Sequence, residues 1–234
     1  MLWDFFQTLF EGGDIRTSLM SLLLSLPIFV LSLSFHEFGH AWMAYRCGDP
    51  TARLLGRCTL DPRRHIDPVG FLMLMLIGIG YAKPVPVNPR NLRNGVRDDF
   101  LVSIAGVCCN LILALIGAAL LLAYMFFAVT TQHPLFFTPW MGYLEEMLLN
   151  LFVLNLVLLV FNLLPVPPLD GYHVVNDLLF RGRLIAPQRA SQLGMGLLLI
   201  LSLTGVLSKG ISVFVNGAYS ILIRLFRLIL LYWG

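Results

Sequence analysis

Phe29-Val30-Leu31-Ser32-Leu33-Ser34-Phe35-His36-Glu37-Phe38-Gly39-His40-Ala41-Trp42 sets three ionisable groups inside an almost wholly apolar run. The run reaches from Thr17 to Tyr45, enough for a membrane helix, which needs about 20 residues. On a helix, residues four apart share a face one turn apart. His36 and His40 can therefore offer two ring nitrogens to one ion, at about 2.0–2.1 Å for zinc. Glu37 stands beside the first of them, where it can take a proton from a water at the ion, whose pKa zinc brings to about 7. Charge at membrane depth is costly, so such groups usually face an interior and act there. The competing reading, two histidines bonded to Glu37 as packing glue, leaves that cost without a purpose.

Two protein ligands are too few, because a catalytic zinc generally has three and a water. The candidates for the third are Asp170, His173, His65 and His133. His133 falls in a short loop on the far side of the membrane by the charge distribution below. His65 lies in a basic loop next to Asp61 and Asp67, and reads better as a loop histidine bonded to a neighbouring carboxylate. Asp170 closes Asn162-Leu163-Leu164-Pro165-Val166-Pro167-Pro168-Leu169-Asp170-Gly171. The prolines end the preceding helix and free backbone groups, which survive at membrane depth only beside protein or water. Leu-Asp-Gly alone is an ordinary turn; it gains meaning only as partner to the histidine pair.

An H-E-x-x-H helix followed by N-x-x-P-x-x-x-L-D-G in a later one resembles the site-2 protease family of intramembrane zinc metalloproteases. Further segments agree: Gly48–Ala52, Gly56–Pro62, His65–Pro68, Lys83–Pro89 and Ala105–Asn110 resemble the short prokaryotic members. The resemblance spans roughly Ser32 to Val175. It implies that His36, His40 and Asp170 bind zinc, that Glu37 is the catalytic base, and that Asn162 holds the substrate backbone or the developing oxyanion. The implied activity is a zinc metalloendopeptidase that cuts a peptide bond within or next to a partner's transmembrane helix. The implied partners are that substrate segment and the bilayer. Val107 stands where the family often has proline. No inserted peptide-binding domain interrupts the core. The alternative is a non-catalytic relative that binds membrane helices or metal, which would have no need of Glu37.

The 234 residues are 58% hydrophobic and 12% charged, against about 25% charged in soluble domains. The fold class is therefore an all-α integral membrane bundle, read as one domain over 1–234 with a catalytic core at about 17–175 and C-terminal helices at about 190–233. Five spans are expected: Thr17–Tyr45, Phe100–Thr130, Glu145–Pro168, Ala190–Ser208 and Ile211–Trp233. Val69–Gly80 is too short to cross and reads as re-entrant or interfacial. Leu2–Phe10, with Trp3, Phe5, Phe6 and Phe10, reads equally as an interfacial anchor or a frayed tail.

Arg46–Asp99 carries nine Lys and Arg, Thr131–Tyr143 none and Gly171–Gln192 three. By the positive-inside rule the first and third of these loops are cytoplasmic. Both motif halves then face the cytoplasm, in a prokaryotic cell membrane by the resemblance. The net charge of +3 follows topology and is no nucleic-acid signal. Arg53–Leu60 and Ala82–Asn88 have the look of short strands, suggesting a small β-containing region beside the site whose edge takes the unwound substrate. Asn110, Asn150 and Asn155 read as inter-helix glue, with Asn110 favoured if one of them serves the site. The four cysteines have no metal-site spacing and read as structural.

Overall fold

A computed structural model describes residues 15–70, 83–182 and 188–233. Its helices are α1 (Ile15–Cys47), a single turn α2 (Thr51–Leu54), α3 (Val96–Thr131), α4 (Pro139–Asn162), α5 (Asp170–Phe180), α6 (Gln188–Leu203) and α7 (Val206–Trp233). α3 is the axis of the bundle: α1, α4, α5 and α7 all pack on it. Ala114 and Leu121 of α3 meet Phe152 and Leu156 of α4 and Val215 and Leu222 of α7 in the main apolar core. Ile28, Leu113 and Leu151 join α1 to the same pair of helices. Outward-facing leucines such as Leu115, Leu203 and Leu231 stay more than half exposed, as a surface solvated by lipid requires.

Lipid tails give helices no hydrophobic reason to associate, so small residues and polar bonds must hold them. Asn155, fully buried, donates to Ser32 Oγ at 2.9 Å, and Asn150 donates to Ser25 Oγ at 3.1 Å, joining α4 to α1 twice. A Cβ at Gly117 would stand 2.8 Å from the Phe152 backbone nitrogen, so this glycine sets how closely α3 and α4 approach. Gly196 meets nothing within 4 Å, so it plays no such part. Replacing Asn155 with Ala should cost about 0.6–1.7 kcal/mol, the range for such bonds in membranes. Equilibrium unfolding in mixed detergent would measure it.

Two expectations are corrected. Among the described residues four helices, not five, are long and apolar enough to cross a membrane: Leu19–Cys47 within α1, then Val96–Thr131, Pro139–Asn162 and Val206–Trp233. The expected span Ala190–Ser208 is instead α6, 16 residues long, about 24 Å at 1.5 Å per residue, short of the roughly 30 Å core. It ends before Gly205, whose φ of +73° breaks the chain ahead of α7. The expected β region is also absent among the described residues. Thr51–Leu54 is helical, and local bonds such as Arg57 N to Ala52 O at 2.8 Å use up the backbone that a strand would need. Segment 83–88 is non-helical but pairs with no strand. Pro84 and Pro86 have no N–H, and the amides of Lys83, Val85 and Asn88 donate to His65 O, Glu37 Oε2 and Asp49 Oδ2. Leu2–Phe10, residues 71–80 of the expected re-entrant run, and Ala82 lie outside the described residues.

Candidate metal centre

His36, Glu37 and His40 are each at most 9% exposed, in the last third of α1. Their helix faces α3 at very short range: a Cβ at Gly39 would stand 2.9 Å from Ala105 O. A Cβ at Gly106 would stand 2.4 Å from His40 Nε2 and 2.7 Å from His36 Cε1. Glycine at 106 is thus the space in which the two imidazoles lie.

Asp170 reaches them from the far side of the sequence. The chain after Asn162 folds back through a turn closed by Val166 N to Leu164 O at 2.8 Å and Leu169 N to Val166 O at 2.9 Å. Gly171 seats the turn, since a Cβ there would stand 2.3 Å from the Leu163 carbonyl. α5 then starts at Asp170 and packs on α3. Asp170 Oδ2 lies 3.2 Å from His36 Nε2 and 3.3 Å from His40 Nε2, and the two Nε2 atoms are 3.0 Å apart.

Two donors on one tetrahedral zinc, each at about 2.0–2.1 Å, stand about 3.3 Å apart. The three atoms therefore have the mutual spacing of donors to a single ion, and they are the one group of this kind among the described residues. An ionised Asp170 is the form that can ligate.

The outer nitrogens are fixed by α3. His40 Nδ1 lies 2.8 Å from Val102 O, a contact only an Nδ1–H can make, so its Nε2 lone pair faces the donor group. The Asn110 amide, fully buried, lies 3.2 Å from His36 Nδ1 with its Oδ1 unpartnered. With the amide turned over, that oxygen accepts the Nδ1–H and gives His36 the same tautomer. This support of ligand histidines is what metal sites need.

Glu37 is placed by the loop beyond α1. Its Oε2 accepts the Val85 amide at 3.1 Å. Segment 83–88 is pinned at both ends. Asp49, fully buried, accepts Asn88 N at 2.7 Å and Asn91 Nδ2 at 2.8 Å. At the other end Lys83 N donates to His65 O at 2.8 Å, and Arg57 Nη2 donates to the carbonyls of Lys83 and Pro84. Burial raises the Asp49 carboxyl, but hydrogen bonds from Thr51, Asn91 and Asn88 hold it below its ordinary value.

The other sequence candidates sit elsewhere. His65 is fully buried and bonds Thr59 O at 2.7 Å, a backbone carbonyl and not the expected carboxylate. His133 Nδ1 accepts Leu135 N at 3.2 Å in the loop between α3 and α4. His173 is exposed and lies edge-on to Tyr172. Asn162, at the end of α4, donates to Leu158 O at 3.0 Å within its own helix. Val102 and Val85 act through backbone groups, which no side-chain pattern reveals, and Gly106 acts through the space it leaves free, which its lack of a side chain does not announce.

Two turns along α5 from Asp170, Asp177 is 7% exposed and its Oδ2 has no partner. Burial, then the charge of Asp99, raise its carboxyl to about 6, against a lowering by His173. The protonated form is the better fit, so the stability it contributes is present below the unfolded value of about 3.9 and is lost as pH rises through about 6. Asp177→Asn should therefore stabilise the protein at pH 8 by about 1–2 kcal/mol and not at pH 4. Thermal unfolding at the two pH values checks the sign.

A buried two-histidine, one-carboxylate donor group in a membrane bundle, with a second acidic side chain, Glu37, on the same helix as the histidines, fits the class of membrane-embedded metallopeptidases. The model of peptidase family M50 matches residues 24–204, and the chain belongs to that family, the site-2 proteases. It is 39% identical to "Putative zinc metalloprotease YwhC" of Bacillus subtilis over 86% of this chain and 89% of that one. It is 38% identical to Rip2 of Mycobacterium tuberculosis, which bears the same description, over 76% of this chain and 66% of that one. "Zinc metalloprotease MJ0392" of Methanocaldococcus jannaschii is 27% identical over 84% of this chain and 46% of that one. No solved structure matches the chain.

Proposed function

We propose that this protein is an intramembrane zinc endopeptidase that hydrolyses a peptide bond within or next to the transmembrane helix of a substrate protein. The observation that carries the reading is the 3.0–3.3 Å spacing of the His36, His40 and Asp170 donor atoms with the carboxylate of Glu37 next along the same helix. Bound zinc would supply a Lewis acid that acidifies water and polarises the scissile carbonyl. His36, His40 and Asp170 would hold the ion. Glu37 takes the proton of the attacking water and returns it to the leaving amine. The Val85 amide keeps the Glu37 carboxylate aimed while it does so. Asn162 is assigned to the substrate backbone, at the end of α4 where the chain turns towards Asp170. The nine cations between Arg46 and Asp99 favour a site that opens to the cytoplasm.

A helix-binding relative without activity would hold the same substrate uncut. The two part on incubation of the zinc-loaded protein, in liposomes, with a reporter whose membrane segment carries helix-weakening residues. Cleavage inside that segment, stopped by a chelator and restored by zinc, is expected. Stable binding with the reporter intact would overturn the enzyme in favour of the binder.

A further inference from the structure

A basic groove of about 440 Å³ opens beside the loop that carries Val85; its cations are Arg57, Arg63, Arg64 and Lys83, and Pro84 and Pro86 form its wall. These two prolines flank Val85, whose amide bonds Glu37, so one short stretch of chain both walls the groove and holds the proposed catalytic carboxylate. Membrane topology accounts for cations in this loop, but not for Arg57. It is 7% exposed, its Nη2 is tied to the carbonyls of Lys83 and Pro84, and its Nε has no partner. No carboxylate among the described residues pairs with it. The three acids nearest in sequence are occupied: Asp61 accepts Arg63 N at 3.1 Å, Asp49 accepts Asn88 N at 2.7 Å and Asn91 Nδ2 at 2.8 Å, and Asp67 accepts Val69 N and Gly70 N, both at 2.9 Å. A buried guanidinium with no counter-charge is costly, and an anion in the groove would offset that cost.

We infer that the groove is a specificity subsite that binds an acidic side chain in the juxtamembrane flank of the substrate. This rests on the protease reading. Arg63 and Arg64, both exposed, supply forked donors that match a carboxylate, and Leu55 on the same groove covers the stem of the bound side chain. The consequence is selection among membrane helices: those followed by Asp or Glu are held in register with Glu37, and those followed by Lys or Arg are repelled.

The test is binding of three fluorescent transmembrane peptides, identical except for an acidic, a neutral amide or a basic flank. The full-length Glu37→Gln protein, which leaves the peptides uncut, is held in phosphatidylcholine nanodiscs. The acidic peptide should bind about five- to tenfold more tightly than the amide one. That ratio should fall to about one in the Arg63→Gln/Arg64→Gln protein and reverse towards the basic peptide in Arg63→Glu/Arg64→Glu. Equal affinities in the unaltered groove would overturn the inference. So would a preference that vanishes when phosphatidylglycerol is added while the groove cross-links to that lipid, which would make it a headgroup site. Preference without cutting by the Glu37-bearing protein refutes the protease and leaves the groove standing; cutting without preference does the reverse.

Discussion

Glu37→Gln should lower cleavage of a membrane reporter by at least about a thousandfold while bound zinc stays at one equivalent. Gln has the shape of Glu and keeps an oxygen to accept the Val85 amide, bonded at 3.1 Å in the parent, so the loop at 83–88 and the donor group are undisturbed. What it lacks is a basic site. General acid–base catalysis contributes about 10²–10⁴-fold, and in the proposed mechanism one side chain serves both proton transfers, so the loss belongs at the upper end. Metal analysis on the same preparation separates the outcomes. Activity lost with zinc kept assigns Glu37 to the chemistry; activity and zinc lost together would assign it to holding the site. Equal cutting by both proteins would expose a contaminating protease.

Gly106→Ala should lower zinc affinity by at least about a hundredfold, an effect as large as removing a ligand through Asp170→Ala, although no ligand is touched. The added methyl would stand 2.4 Å from His40 Nε2 and 2.7 Å from His36 Cε1. Those atoms cannot yield freely, because His40 is bonded to Val102 O and His36 to Asn110. One imidazole must leave its place, and the 3.0 Å approach of the two Nε2 atoms goes with it. Alanine is otherwise the better helix former by about 1 kcal/mol, so α3 itself should not suffer. Zinc titration with a competing chelator, beside circular dichroism, reads the two effects apart. Unaltered zinc binding would show that the histidines reorganise around the methyl, and that the site is softer than its packing indicates.

The parts of the site that were legible in sequence are those with a local period. His36 and His40 share a helix face whatever surrounds them, and Glu37 follows from its place beside them. Asp170 was one of four candidates on its residues alone. A turn of prolines lies between it and the histidines, and only the resemblance to a family singled it out. The backbone partners at Val102 and Val85 carry no signal, since any residue has a carbonyl and every one but proline an amide. The membrane class was plain from composition, but the count of spans was not. α6 has apolar residues enough and stops at 16, because a glycine with positive φ, and not a polar residue, ends it. The expected strands failed for a comparable reason. An extended look says nothing of whether amides are free, and those of segment 83–88 are spent on Glu37, Asp49 and His65.

Val102, Gly106 and Asn110 follow one another at intervals of four on α3, so a single ridge of that helix holds one histidine, makes room for both and holds the other. Such a ridge works as a vernier. Inserting or deleting one residue within it turns every later mark by about 100° and brings none back into line. Beyond Leu121 the helix runs on to Thr131 with no fully buried residue left. That last stretch of α3 is thus the part free to lengthen or shorten with the thickness of the host bilayer, and the stretch from 102 to 121, which keeps the histidines and then the packing at Gly117, is the part whose length a membrane cannot tune.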